Sequence, residues 1–594
     1  MPRAIRAHRR VLAGILASGV LAGLAPAAAA RQADESKITI AFKANENNLT
    51  PFTLTLLGIP STHDVVHLVY DSLFWSQVKD DPEPWLAESA EPSADQRVWT
   101  VKLRNGLTWH DGQPLTAEDV AFTYMYMKDH PVGAGDRYSH HVWQHPVLQS
   151  ADVVDRLTVR MTFKDPAPTF KILPGADMPI VPKHVWEKIA DPAKATDMLP
   201  IGSGPYKMTS FTADQIYRLE ANAAYFKGRP KVDKIDLTVV KDPSAAFAAL
   251  QTGQVDAVDR AVPPELVDQM SNAPGLEVVT STRMESVQLH FNQLKAPLGD
   301  ARLRKGITMA IDNNALVQTV LMGHGQPGRD GWVHPSSPWA DPNGGHEFNV
   351  AKANQTLDAA GYTRGDDGVR RTPDGKRLEF TLSAGSTEPQ HARAAQLVAQ
   401  QVGAVGVRMN VETVDPATLR QRRVSGAADA FITNIESHAH ADPDALFFFF
   451  LSPAPGSAGG GFFGSYSNPT FDALVEKARL ATDMQERKRL LVDAQHVFAQ
   501  DAQTQVLFYP AGDYAYRTAA YDGWIADTGH GILTKRSFLR GYENADGRAA
   551  GSSGGSESGP PWAAIGVVLG LAVVGGGVLA ACGRRREELE AEEA

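Results

Sequence analysis

Residues 99–122 read W-T-V-K-L-R-N-G-L-T-W-H-D-G-Q-P-L-T-A-E-D-V-A-F. Trp99, Val101 and Leu103 alternate with Thr100, Lys102 and Arg104, the period-2 signature of a half-buried strand. Asn105-Gly106 tolerates positive φ, so the chain is expected to turn back into a short partner strand over 107–110. Asp111-Gly112 marks a second turn. Thr116, with Asp119 three residues on, reads as a capped helix start in which hydroxyl and carboxylate satisfy orphan backbone donors. Strand, turn, strand, turn and capped helix make a scaffold with no catalytic group in it.

The rest of the chain sets the frame. At 594 residues it exceeds a single core, and two or three domains are expected. A hydrophobic content of 43% and a charged content of 21% are ordinary for a globular protein. The net charge of −10 argues against a nucleic-acid partner. Cys582 is the single cysteine, so neither a disulfide framework nor a Cys-based metal site is expected. At the N-terminus, Arg3, Arg6, Arg9 and Arg10 precede an apolar run over 11–24 and a small-residue zone over 27–30, the pattern of an export signal cut near Ala30. No cysteine follows that run, which excludes a lipoprotein anchor. Residues 562–582 are apolar and glycine-rich, long enough to span ~30 Å as a helix. Arg584, Arg585 and Arg586 follow directly and place the tail in the cytoplasm. Residues 546–561 are Gly/Ser-rich and read as a flexible linker of ~20–25 Å reach.

The stretch at 99–122 resembles the most recognisable block of the peptide/nickel class of ABC-transporter solute-binding proteins, bacterial extracellular family 5, which reads roughly F-x-L-R-x-G-V-x-F-H-D-G-x-P-(F/L)-T-A-E-D-V. Further segments resemble the same family: Pro84-Trp85-Leu86-Ala87-Glu88-Ser89, Pro182-Lys183-His184-Val185-Trp186, Gly202-Ser203-Gly204-Pro205-Tyr206, the run from Asn222 and Tyr225 to Pro230, Asn292 with Pro297 and Asp300, and Tyr466 with Asn468-Pro469. The glycines at 202 and 204 suggest a phosphate cradle, but Pro205 removes a donor and a strand follows, not a helix N-terminus.

The resemblance implies an α/β, two-lobed periplasmic-binding-protein-like fold of the large three-subdomain type, here with one C-terminal transmembrane helix added. Residues 31–280 are expected to form lobe I, with 80–180 as an inserted subdomain and 505–545 completing it, and residues 281–504 to form lobe II. Strands are expected at 37–43, 157–163, 286–292, 379–382, 408–414 and 505–509, the last returning to the first lobe. Helices are expected at 61–70, around 310–312, at 351–361 and at 392–405. The implied function is an extracytoplasmic receptor, not an enzyme, that captures a peptide or other small solute and delivers it to permease subunits coupled to an ATPase. No cofactor, resident metal or nucleic-acid partner is implied.

The ligand site is expected near 433–444, T-N-I-E-S-H-A-H-A-D-P-D. Peptide-binding members of the family resemble G-W-x-x-D-x-x-D-P here, the first Asp pairing with the peptide ammonium. Aligned on Asp442-Pro443, that Asp falls at Ala439 and the Trp at Glu436, so Glu436 or a different register must supply the carboxylate. His438 and His440 alternate and would face one side of an extended chain, which suits a metal, a metal chelate or an anionic solute. Glu436, His438, His440 and Asn292 are the expected cleft residues. Phe447–Phe450 and Phe462-Phe463 add aromatic surface, more of it expected in the core than in a pocket.

Other readings are weaker. His63-Asp64-Val65-Val66-His67 is a near miss to the zinc-protease pattern, with Asp where the general base is Glu; a polar helix face is the plainer reading. His140, His141 and His145 lie in one loop without a carboxylate at motif spacing. A sensory receptor signalling through its own transmembrane helix is the second functional class, but the tail after Arg586 is too short for a signalling domain.

Overall fold

The computed structural model describes residues 35–43, 48–52, 60–76, 81–130, 147–436, 450 and 466–542, apart from the side chains at 60–64, 424 and 436. The expected signal peptide, linker, transmembrane helix and tail, the histidines at 140, 141 and 145, and the phenylalanines at 447–449, 462 and 463 lie outside these residues. Among the described residues, no helix is long and apolar enough to cross a membrane.

Val98–Leu103 is a strand whose side chains alternate between core and surface. It pairs with the preceding Ala87–Pro92 on one side, a hairpin closed over residues 93–97, and with the distant Thr158–Phe163 on the other, with Leu148–Asp155 completing a four-stranded sheet, sheet III. The expected hairpin is not formed. Gly106 and Gly112 take positive φ of 79° and 86°, but residues 107–114 close on themselves through Trp109 N–H to Gln113 O (2.8 Å) and the Thr108–Pro114 bridge. Pairing along the whole strand on both sides offers more ladder bonds and buries Trp99, Val101 and Leu103 more fully than a short hairpin could. Thr116 does cap the helix Ala117–Asp129: Glu118 N–H donates to its hydroxyl (3.3 Å), and Thr116 N–H donates to Asp119 Oδ2 (2.9 Å).

The recognisable segments lock onto one another. His110 Nε2 lies 3.0 Å from Gly204 O, and Gly202 N–H donates to His110 Nδ1 (3.2 Å). His184 meets Asp111 at 2.8 Å, Lys183 N–H donates to Asp119 Oδ1 (3.0 Å), and Val181 N–H donates to Thr123 Oγ1 (3.0 Å). Gly202 and Gly204 are glycines because the end of the helix Pro60–Val69 presses on them. An added Cβ would sit 1.9 Å from Val69 O at position 202 and 2.4 Å from Leu68 O at position 204. Gly202→Ala is therefore expected to cost about 1–3 kcal/mol, the range for overpacking a tight contact, read as a lowered denaturation midpoint. An unshifted midpoint would mean that helix end and turn do not touch in solution.

Sheet I has seven strands in the order Leu276–Ser281, Gly512–Arg517, Ala257–Val258, Lys37–Phe42, Lys234–Val239, Ile216–Ala221 and Tyr206–Thr212. Its centre is parallel, Lys37–Phe42 running with both Lys234–Val239 and Ala257–Val258. Ile38, Tyr217, Ile235 and Leu237 from this sheet share one buried cluster with Trp99, Val101, Val159 and Met161 from sheet III. His67 is buried too and meets Trp75 edge-on at 5.9 Å. The expected polar face is thus corrected at this position: Val65, Val66, His67, Leu68 and Val69 are all inside.

Sheet II has six strands, Gly325–Pro327, Thr504–Pro510, Glu285–Phe291, Ala430–Glu436, Glu379–Gly385 and Arg408–Val414. Parallel pairing of Glu379–Gly385 with Arg408–Val414 and antiparallel pairing of Glu285–Phe291 with both its neighbours make it mixed. Val287, Leu289 and Phe291 pack with residues of Ala301–Thr308, Asn313–Val320, Val350–Ala359 and Pro389–Gly403. The other face carries Phe431 and Val506 against Trp332 and the helices Pro469–Leu480 and Met484–Asp501. Phe450 belongs to this core, edge-on to Trp332 at 4.4 Å. Two expectations change. Ala310-Ile311-Asp312 is a joint between helices, with Asp312 accepting from Ala315 N–H (3.0 Å) as the second helix's cap. Thr504–Pro510 stays in sheet II, buried on both faces, and the return to sheet I is made by Gly512–Arg517.

Candidate functional site

Among the described residues, the chain passes between sheets I and II at 282–284 and again at Ala511. Both passages lie at one edge of each sheet. Ser281 pairs with Gly512 at the edge of sheet I, and the strand that Glu285 opens lies beside Thr504–Pro510 in sheet II. The parallel strands of sheet I end here at Lys43, Val240 and Asp259. In sheet II, Glu379–Gly385, Arg408–Val414 and Ala430–Glu436 end at the corresponding edge. The two lobes therefore face each other by the carboxyl ends of their strands, where open α/β sheets bind ligands.

The sheet I edge is held by Asp259. Its Oδ2 accepts from Lys43 N–H (2.9 Å) and its Oδ1 from Arg260 Nε (3.2 Å), while the same guanidinium donates to Lys241 O and Val240 O. One buried carboxylate and one arginine thus tie three strand ends. Opposite them, the helix Pro389–Gly403 starts directly after its strand and points its amide N-terminus, with its partial positive charge, at the cleft. Glu388 stands at its start and reaches Lys43 Nζ (3.1 Å). His391 sits in its first turn, buried, and desolvation lowers its pKa to about 4, so the imidazole is neutral at neutral pH. Arg393 Nη2 reaches Glu265 Oε2 (3.3 Å) on the far lobe.

The expected site residues separate. Glu436 ends its strand at the cleft edge, directly opposite Glu285 in the register; Glu285 is buried and ion-paired with Arg283. His438 and His440 lie outside the described residues. Asn292 is corrected: it stands seven residues beyond Glu285 on the paired strand, about 23 Å from the Glu436 end at ~3.3 Å per residue. Its amide donates to Gly426 O (3.0 Å) and Ala428 O (2.8 Å) and accepts from Leu294 N–H (3.1 Å). A buried amide with both hydrogens engaged is a loop clamp at the far end of the sheet. Lys43, Asp259, Glu388 and His391 are the cleft residues that pattern reading passed over. Lys43 and Glu388 carried one available signal, a charge at the end of an expected strand and another just before an expected helix. Among the described residues no group of three or more His, Cys, Asp or Glu is placed to hold a metal ion.

Two α/β lobes opposed by their carboxyl edges and joined by paired strand crossovers define a solute receptor of the two-lobed type. The chain belongs to the bacterial extracellular solute-binding proteins, family 5, whose model matches residues 81–458. Haem-binding protein A of Haemophilus influenzae is 28% identical over 445 residues, covering 71% of this chain and 78% of the relative. The oligopeptide-binding protein AppA of Bacillus subtilis is 27% identical over 461 residues, 75% of this chain and 82% of the relative. Its structure in complex with a nonapeptide superposes with a TM-score of 0.68 over 81% of this chain and 95% of that one, at 25% identity. The ABC-transporter substrate-binding protein CtaP from Listeria monocytogenes shares the fold with a TM-score of 0.73 over 85% of this chain and 99% of its own, at 24% identity.

Proposed function

We propose that this protein is the capturing receptor of an ABC importer. It closes two lobes over a peptide or a related charged solute, performs no chemistry on it, and presents it to the permease. The observation that carries this reading is the opposition of two carboxyl sheet edges across paired crossovers, the geometry of a cleft that opens and shuts. Sequence adds a second element. An export signal over 1–30 and a basic-flanked apolar run over 562–582 support a cell-membrane anchor with the lobes outside and the C-terminus in the cytoplasm.

For the ligand, Glu436 at the cleft edge supports recognition of a cationic group, and His438 and His440 follow it within four residues. The relatives named for oligopeptide and haem binding support two candidates, a peptide and a metal chelate. Mass spectrometry of solutes released by denaturing the purified protein decides between them. A ladder of short peptides supports the first; a metal or chelate supports the second and puts the histidines at its centre; no solute, together with no binding in a peptide and chelate screen, overturns the receptor reading. With the solute in hand, alanine at Glu436, His438 or His440 is expected to weaken binding about 10- to 100-fold, the ~1.5–3 kcal/mol of a hydrogen bond to a charged group. Calorimetric affinities unchanged in all three variants would remove them from the site.

A further inference from the structure

We infer that the cleft carries its own closing latch: the ion pairs Lys43–Glu388 and Glu265–Arg393 hold the lobes together before any solute enters. The inference rests on the receptor reading and adds to it the residues that set how far the empty receptor stays shut. Both pairs join sheet I's lobe to one helix start on the opposite lobe, at 3.1 and 3.3 Å. Their polarity alternates. Lobe I offers a cation at Lys43 and an anion at Glu265; lobe II answers with an anion at Glu388 and a cation at Arg393. Both pairs are satisfied together in this closed register, and a shift that exchanged their partners would set like charge against like charge.

The backbone supports of the latch are fixed. Lys43 leaves its strand with its N–H bound to the buried Asp259, Glu265 lies in the short turn Pro264–Leu266, and Glu388 and Arg393 ride on the first turns of Pro389–Gly403. The tips are not buried. Side-chain exposures of 32% and 35% in one pair and 36% and 41% in the other leave them open to water and salt. Pairs of this kind shift an equilibrium by roughly two- to fivefold each. That strength suits a latch, since it biases the empty receptor toward closure yet can be broken for a solute to enter or leave.

The test uses the full chain in detergent, stripped of solute, with Cys582→Ser and dyes on Ala213→Cys and Gln400→Cys, exposed positions on the two lobes. Single-molecule energy transfer then reports the interlobe distance. K43E and E388K are each expected to shift the distribution toward open, by roughly two- to fivefold in the open-to-closed ratio, and the double reversal K43E/E388K to restore it. Raising salt to about 1 M, where the screening length is ~3 Å, should move the unreversed chain toward the single variants. Single reversals without effect, or a double reversal that adds instead of restoring, overturn the latch. If a chain that releases solute on denaturation shows these negative results, only the latch falls. If it also neither releases nor binds any solute, the receptor reading falls with it.

Discussion

Asp71→Ala is expected to destabilise the protein by about 3–5 kcal/mol, the range for removing one partner of a buried ion pair. Asp71 and Lys535 stand 464 positions apart in the chain, yet both are wholly buried, with carboxylate and ammonium 2.6 Å apart. The same carboxylate accepts from Trp85 Nε1 (2.8 Å), Tyr225 OH (3.0 Å) and Ser203 Oγ (3.1 Å). Lys535 lies over the rings of Trp75 and Trp85, at 5.1 and 4.8 Å. Burial lowers the lysine's pKa, and Asp71 opposes that shift. Removing the carboxylate leaves a buried ammonium together with two hydroxyl donors, Tyr225 and Ser203, that lose their acceptor, while Trp85 Nε1 keeps Tyr225 OH at 2.9 Å. The double variant Asp71→Ala/Lys535→Met is expected to recover much of the loss, because a well-packed apolar pair replaces buried ions at little net cost. Urea titration followed by tryptophan fluorescence checks both, with Trp75 and Trp85 inside the network. A double variant as unstable as the single one would show that packing, not the orphaned charge, sets the loss. The network also fixes the C-terminal part of the described chain to the first lobe, with Trp75 stacked on His530 at 4.7 Å and Tyr542 donating to Glu83 at 3.0 Å.

Stability is expected to fall steeply as pH drops from about 6.5 toward 4. His110, His334 and His391 have pKa values lowered to about 4, in each case chiefly by desolvation. These are bases with a folded pKa below the unfolded one. Above pH 6.5 both states are neutral there and nothing is gained or lost. Between 6.5 and 4 the unfolded chain takes up protons that the folded chain refuses, so acid favours unfolding. With His290, wholly buried and held well below the usual imidazole range by desolvation, four such groups give a slope of about 5 kcal/mol per pH unit in the middle of that window. The geometry agrees for two of them. His110 Nδ1 accepts from Gly202 N–H and His334 Nδ1 accepts from Ser336 N–H (3.1 Å), so protonating either ring leaves a backbone donor without its acceptor. Urea midpoints at pH 7.5, 6 and 5 test the sign and size. A flat profile would mean that these rings are hydrated in the folded protein, and His110→Asn, which cannot titrate, should flatten the slope by about one quarter.

Local devices were legible in the sequence because they act within a few residues. The alternation at 98–103, the capping box at Thr116 and Asp119, and the glycine turns at 106 and 112 each depend on φ/ψ preference or on a side chain reaching its own backbone. The segments that carry the family resemblance proved to be scaffold: His110, Asp111 and Asp119 are bound to Gly202 and Gly204, His184 and Lys183. That is why they identify the fold so well and say so little about the solute.

The sequence by itself determined the α/β class, the family and the places of most strands and helices, though not the joint at Ala310-Ile311-Asp312 or the absent strand at 107–110. The tertiary structure alone decided which distant partner each strand takes, and here the local reading failed twice. The strand at 98–103 takes its hairpin partner from before it, at Ala87–Pro92, and the distant Thr158–Phe163 on its other side, not residues 107–110, and Thr504–Pro510 stayed in sheet II. It also moved Asn292 to the far end of sheet II and brought Lys43 to Glu388 across 345 positions. Backbone geometry is set over a few residues, whereas sheet partners, buried ion pairs and clefts are set by which surfaces leave water together. Chain spacing carries almost no information about that choice.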